Sequence, residues 1–102
     1  MTTIDGTNVR KLVVACDAGM GSSAMLAGTV RKQLAKQGVE VVHTSVQEIP
    51  ADADLVLTHA GLAERARGVA GDVPVVPFQL FLGDPAVTRV VTAIQQGSTI
   101  DV

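Results

Sequence analysis

The chain has 102 residues, of which 47% are hydrophobic and only 2% aromatic, and its formal net charge is −2 at pH 7. This length predicts one domain with a modest core, which must be built from aliphatic side chains. Charges of both signs are spread along the chain without a basic stripe or an aromatic platform, so the sequence offers no nucleic-acid interface. The single cysteine excludes an internal disulfide and is typical of a reducing compartment.

No apolar run reaches the roughly 18 residues that cross a bilayer, and the N-terminus lacks the basic and apolar regions of a signal peptide. We therefore expect a soluble cytoplasmic domain that inserts no segment into a membrane. Residues 1–9 are expected to be a flexible leader, so that the folded domain covers residues 10–102. The sequence predicts neither a metal site nor a cofactor.

Apolar runs and helical stripes alternate along the rest of the chain. Strands are predicted at residues 10–15, 39–44, 54–58 and 73–77, and helices at residues 22–37, 61–68 and 85–96. The dipeptide Asp84-Pro85 is a strong helix start because it combines an N-cap with proline at the first helical position. Gly97 ends that helix, and residues 98–102 are expected to be a tail.

Helices that alternate with strands imply a parallel sheet with right-handed crossovers. The predicted fold is therefore α/β and Rossmann-like: a single four-stranded parallel sheet in the order 2-1-3-4, flanked by three helices. The prolines of the fourth strand favour an edge position for it. The winding reverses between the first and third strands, so a crevice is expected at their carboxyl ends. Cys16 and His59 both follow those strands.

The most informative stretch is the turn between the first strand and the first helix. It starts at Cys16 and continues as Asp17, Ala18, Gly19, Met20, Gly21, Ser22 and Ser23. Successive backbone N–H groups ahead of a helix N-terminus form a cradle for an anion, and the glycines allow a ligand close to the backbone. A thiol in such a cradle is favoured as its thiolate. We therefore predict that Cys16 is a nucleophile that accepts a phosphoryl group, although residue type alone favours a buried structural cysteine.

The segment from Val14 to Met25 resembles the phosphocysteine loop of the IIB component of the mannitol-specific phosphoenolpyruvate-dependent sugar phosphotransferase system. The likeness extends to residues 54–59 and 62–66. This resemblance implies that Cys16 attacks a phosphohistidine on a IIA protein and passes the phosphoryl group to mannitol, or a related hexitol, bound by a membrane-embedded IIC protein. It also implies a location at the inner face of the membrane, held there through IIC.

Low-molecular-weight tyrosine phosphatases share this type of cysteine loop and this fold. Counted from Cys16, the position of their arginine is Ser22 and the position of their hydroxyl is Ser23. Without the arginine, a phosphoryl transition state loses a bidentate, charge-assisted interaction. The phosphatase interpretation is therefore an alternative that lacks its central residue, and this absence suits a carrier that should not hasten hydrolysis.

Two further alternatives stay open. Gly19-x-Gly21-x-x-Ala24 fits a loose dinucleotide fingerprint, but His43-Thr44 stand where that pattern requires an acidic residue. The second alternative is a regulatory IIB-like module, whose phosphorylation reports sugar supply without feeding a transporter. The presence of a membrane IIC partner would separate this module from a transport component.

The remaining polar candidates carry weaker signals. His59 is an auxiliary candidate that either touches the phosphoryl group or the docking partner, or is a capped or solvated loop residue. Ala60-Gly61 replace the charged pair that usually follows this histidine in the family. Asp17 would oppose a phosphate dianion unless its side chain points outward or accepts from loop amides. Met20 and residues 78–82 are candidates for an apolar docking rim, whereas His43 is interpreted as a strand residue without a role.

Overall fold

The computed structural model describes residues 3–16, 21–79 and 84–101. Its helices and strands are, in chain order, β1 (Thr3–Asp5), β2 (Lys11–Cys16), α1 (Gly21–Gln33), β3 (Glu40–Ser45), β4 (Leu55–His59), α2 (Ala63–Ala70), β5 (Val75–Phe78), α3 (Pro85–Gln96) and β6 (Thr99–Asp101). Short 3₁₀ helices cover Gly6–Asn8, Ala35–Gln37, Val46–Glu48 and Ala60–Leu62.

Four strands form the parallel sheet that the sequence predicts. Their order is β3-β2-β4-β5, which confirms the predicted order 2-1-3-4 of the four strands identified from the sequence. The central strand β2 is buried because its side chains pack on both faces of the sheet. Pro77 lies in β5, at the edge of the sheet, where a missing N–H leaves no partner unsatisfied.

Alternation along the strands divides the core into two clusters. One face of the sheet presents Leu12 and Val14 to the apolar stripes of α1 and α3. The other face presents Val13 and Ala15 to α2 and to the segment between β3 and β4. The helices therefore lie in two layers, with α1 and α3 on one side and α2 on the other.

The first predicted helix is shorter than expected. It ends at Gln33, and the 3₁₀ helix Ala35–Gln37 continues to Gly38, which has the left-handed φ of 69°. Gly38 directly follows the last residue of the predicted helix, and as a glycine it adopts this conformation without steric conflict. The spacing of apolar residues did not predict that the last turn changes from an α-helix to a 3₁₀ helix.

The two ends of the chain require a correction. Within the expected flexible leader, β1 pairs antiparallel with β6, and Ile4 lies opposite Ile100. Both isoleucines are buried, with 9% and 2% of their surface exposed, and they belong to the cluster beneath α1 and α3. Each strand has three residues. A segment of three residues is too short to show the alternation of apolar and polar residues that predicts a strand. Each segment is a strand because it pairs with the other, at the opposite end of the chain.

Candidate functional site

Two central strands end at the edge of the sheet where the crevice is expected. Cys16 is the last residue of β2, and His59 is the last residue of β4. The register pairs Ala15 with Thr58, one residue before each of them, and pairs Cys16 with Ser45 on the other side. The predicted convergence of the cysteine and this histidine on one edge of the sheet is therefore confirmed by the topology.

The Cys16 sulfur is buried but has polar neighbours. Cys16 is 6% exposed, and its Sγ lies 3.2 Å from Nε2 of His43 and 3.7 Å from the carbonyl oxygen of Thr44. A thiol can donate to either acceptor, whereas a thiolate can only accept, and of these two described neighbours only the imidazole can offer an N–H. The surroundings of the sulfur therefore differ from those of a cysteine packed among aliphatic side chains.

His43 reaches the sulfur because of the strand register. It pairs with Val14, two residues before Cys16, so alternation places the His43 and Cys16 side chains on the same face of neighbouring strands. The imidazole is solvent-exposed, whereas the sulfur is not. From the sequence alone, His43 is interpreted as a strand residue without a role. The strand order was correct, but the contact depends on which residue of β3 lies opposite Val14.

The helix that follows the loop begins one residue before its predicted start at Ser22. α1 starts at Gly21, so Ser22 and Ser23 lie in its first turn, where backbone N–H groups have no partner within the helix. Asp17, Ala18, Gly19 and Met20 lie outside the described residues, as do the side chains of Ser22 and Ser23. Their roles in the cradle, and that of Met20 in a docking rim, stay predictions.

His59 has a local structural role. Its Nδ1 accepts a hydrogen bond from the Gly61 N–H at 3.2 Å, which caps the 3₁₀ helix Ala60–Leu62. Its ring packs edge-on against Phe78, with the centroids 6.1 Å apart. This capping role is a finding of the structure, and the docking contact considered for His59 stays a prediction. A contact with a phosphoryl group stays a prediction.

Phe78 belongs to the core rather than to an exposed rim. It is buried in the cluster beneath α1 and α3, so its predicted place on a docking surface is corrected. Residues 80–82 of the predicted rim lie outside the described residues.

A cluster of charged side chains lies at the edge of the sheet opposite to Cys16, where β2 begins. The Lys11 ammonium contacts carboxylate oxygens of Asp52 at 3.0 Å and of Glu40 at 3.8 Å. Hydrogen bonding to Asp52 raises the pKa of Lys11, and the same contact lowers the pKa of Asp52. Lys11 begins β2 and Cys16 ends it, so these charges are separated from the sulfur by the length of the strand.

Within the described ranges, no three side chains of the metal-binding types converge as a metal site would require. Among the residues that the structure describes, no helix is long and apolar enough to cross a bilayer. These features define a class of protein: a small parallel α/β domain with a cysteine at the carboxyl end of a central strand. The cysteine lies just before the loop that leads to a helix.

Comparison with known families identifies that class. The family described as "PTS system, Lactose/Cellobiose specific IIB subunit" matches residues 11–93, and this chain belongs to it. The initials denote the phosphotransferase system that the cysteine loop resembles. The match covers the whole parallel sheet and most of α3, while the β1–β6 pair lies outside it.

Several relatives are named for mannitol. The mannitol-specific cryptic EIICB component of Escherichia coli K12 is 47% identical over 81 residues, covering 78% of this chain and 17% of that protein. The mannitol-specific EIICB component of Halalkalibacterium halodurans is 37% identical over 91 residues, covering 87% of this chain and 19% of the relative. The mannitol-specific EIICBA component of Vibrio cholerae is 40% identical over 93 residues, covering 89% of this chain and 14% of the relative. The chain thus spans less than a fifth of the length of these relatives.

A solved structure shares the fold. The lactose-specific IIB component domain from Streptococcus pneumoniae aligns with a TM-score of 0.50, covering 87% of this chain and 94% of that chain. Only 19% of the aligned residues are identical, so the likeness concerns architecture. It agrees with the four-stranded parallel sheet described above.

Proposed function

We propose that this chain is a phosphocarrier of the sugar phosphotransferase system and that Cys16 carries the phosphoryl group. The single observation that supports this best is the position of Cys16. It ends a central strand just before α1, inside the segment that matches the IIB family. Phosphoryl transfer depends mainly on positioning and on stabilising the equatorial oxygens. The N–H groups in the first turn of α1, which have no partner within the helix, are suited to that task.

The proposed cycle has two displacements at phosphorus. In the first, the Cys16 thiolate attacks the phosphohistidine of a IIA protein. The S–P bond forms as the N–P bond breaks, and the electron pair of that bond returns to the IIA imidazole nitrogen. In the second, a sugar hydroxyl attacks the phosphocysteine, the S–P bond breaks, and the thiolate is restored. The hydroxyl proton passes to a base on the acceptor side.

The sugar and the partners are inferred from relatives. The proteins from E. coli and H. halodurans are named mannitol-specific EIICB components. We therefore propose mannitol or a related hexitol as the acceptor, bound by a membrane IIC partner that holds this chain at the inner face of the membrane. The phosphoryl donor is a phosphorylated IIA protein.

The direct test is phosphorylation followed by site mapping. The chain is incubated with phosphorylated IIA, and its intact mass and the position of the phosphoryl group are determined by mass spectrometry. We expect one added phosphoryl group, located on Cys16, and no thiol-linked phosphate in Cys16→Ser. Circular dichroism of Cys16→Ser verifies that the variant is folded.

Two results would contradict the proposal. One is a phosphoryl group on His59 or on a serine instead of Cys16. The other is turnover of an aryl phosphate, which would favour the phosphatase alternative. Addition of vesicles that contain IIC then tests the acceptor: mannitol should discharge the phosphocysteine, whereas lactose should not.

A further inference from the structure

We infer that His43 is a catalytic partner of Cys16: its Nε2 takes the thiol proton and then holds the thiolate through an N–H hydrogen bond. This inference rests on the proposed function, which makes the sulfur the reacting atom. Its starting point is the distance of 3.2 Å between Nε2 and Sγ. At this distance the ring nitrogen is within reach of the sulfur without any backbone movement.

The two polar neighbours of the sulfur favour opposite protonation states. The Thr44 carbonyl oxygen, 3.7 Å away, can only accept, so it stabilises the thiol and repels the thiolate. The His43 nitrogen can accept from the thiol or, once protonated, donate to the thiolate. The nitrogen is the nearer of the two, and a hydrogen bond between an imidazolium and a thiolate is charge-assisted on both sides. Once protonated, His43 can therefore hold the sulfur in its nucleophilic form through this contact.

The exposure of the two residues also fits a proton exchange. Cys16 is buried, so its sulfur has little contact with water that could take the proton. His43 is exposed on β3, an edge strand, so its ring exchanges protons with solvent. The imidazole thus connects a buried sulfur to the solvent through a single hydrogen bond.

The proton stays on His43 while the phosphoryl group moves. The S–H proton passes to Nε2 before attack, and the thiolate sulfur then displaces the IIA imidazole from phosphorus. When the sugar hydroxyl later takes the phosphoryl group, the sulfur leaves as a thiolate beside the protonated His43. No further proton has to reach the buried sulfur, so the carrier is ready for the next transfer.

The first test measures the reactivity of Cys16 without any partner protein. Cys16 is the single cysteine of the chain, so the rate of alkylation by iodoacetamide reports on this sulfur alone. At neutral pH we expect His43→Phe to lower that rate about tenfold, since the thiolate is the reacting species. The ultraviolet absorbance of the thiolate, measured against Cys16→Ser, should fall in parallel. Gln47→Ala, at an exposed residue just after β3, is the matched control and should alkylate like the wild type.

The second test separates proton transfer from simple packing. His43→Gln keeps an amide N–H near the position of Nε2 but cannot take a proton. We expect it to phosphorylate from IIA faster than His43→Phe and slower than the wild type. Because His43 is exposed, neither substitution removes core packing, and circular dichroism verifies the fold of both.

The outcomes distinguish this inference from the proposed function. Equal alkylation rates in the wild type and His43→Phe would overturn the role of His43, even if Cys16 is still phosphorylated by IIA. Slower alkylation with an unchanged phosphorylation rate would also overturn it, since the pair would then not serve the transfer. Slower alkylation in a chain that IIA never phosphorylates would leave the His43–Cys16 pair in place and contradict the phosphocarrier proposal.

Discussion

At the scale of single residues, the sequence singled out Cys16 as a candidate but not its neighbour His43. Cys16 stood out because a strand, a glycine-rich turn and a helix N-terminus meet at one point of the chain, and this is local information. The contact with His43 depends on the pairing of Val14 with His43, which is a property of two strands together. A shift of this register by one residue would have turned the His43 side chain to the opposite face of the sheet, away from the sulfur.

The same scale includes a carboxylate that joins the starts of two strands. Oδ2 of Asp54 accepts hydrogen bonds from the N–H groups of Arg10 and Lys11, each at 2.9 Å. We expect Asp54→Ala to lower the free energy of unfolding by about 1–3 kcal/mol, because two backbone donors lose a charged acceptor. Urea denaturation measures this difference.

Asp54→Asn is the control for that experiment. It retains a carbonyl oxygen that can accept from the same donors, so its loss of stability should be smaller than that of Asp54→Ala. Equal losses for the two variants would show that the hydrogen bonds to Arg10 and Lys11 do not account for the effect.

At the scale of elements, the two caps of α3 were predictable and the short terminal strands were not. The N-cap at Asp84 is confirmed, since its Oδ1 accepts from the Ala86 N–H at 2.7 Å. The stop at Gly97 is confirmed by a left-handed φ of 70°. Caps are predictable because residue type and neighbouring residues determine them. The second hydrogen bond of Asp84, from the Gln79 N–H to Oδ2, joins α3 to the end of β5, and no local pattern predicts it.

This double role makes Asp84 more important than an ordinary cap. We expect Asp84→Ala to destabilise the fold by about 2 kcal/mol or more, since it removes a helix cap and also leaves the Gln79 N–H without its acceptor. Asp84→Asn should lose less, because an amide oxygen can still cap α3. Thermal unfolding of the three proteins provides the comparison, and a loss below 0.5 kcal/mol for Asp84→Ala, on the order of a surface substitution, would contradict the argument.

At the scale of the whole molecule, the parallel sheet was predictable from the sequence, whereas the pairing of β1 with β6 was not. The alternating order of strands and helices leaves few arrangements, so the order β3-β2-β4-β5 follows from general rules of connection. The β1–β6 pair joins segments at opposite ends of the chain, each with a single buried isoleucine. Its stability comes from the core beneath it, which is a property of the folded state.

The backbone at Gly6, just after β1, packs closely against the C-terminal end of α3 and the residues that follow it. A Cβ at Gly6 would lie 2.4 Å from the carbonyl oxygen of Ala93 and 2.8 Å from that of Ser98, and both atoms belong to the backbone. We expect Gly6→Ala to destabilise the protein by about 1–3 kcal/mol, because overpacking against backbone cannot be relieved by a rotamer change. Chemical denaturation measures the loss.

Gly28 offers a matched control for this substitution. It lies inside α1, and a Cβ there would meet nothing within 4 Å outside its own helix. Gly28→Ala should therefore stabilise the protein by about 0.5–1 kcal/mol, since alanine favours the helix. If both variants changed stability in the same direction, the crowding at Gly6 would not be the cause of its effect.

The antiparallel pairing of β1 with β6 also determines how the domain responds to tension. Thr3 lies opposite Asp101, so the outermost pair of this ribbon is the first to carry a pulling force applied at both ends. Hydrogen bonds loaded in this way open one after another, as a zipper does, rather than all at once. A force applied through both ends would therefore load this ribbon before it loads the parallel sheet.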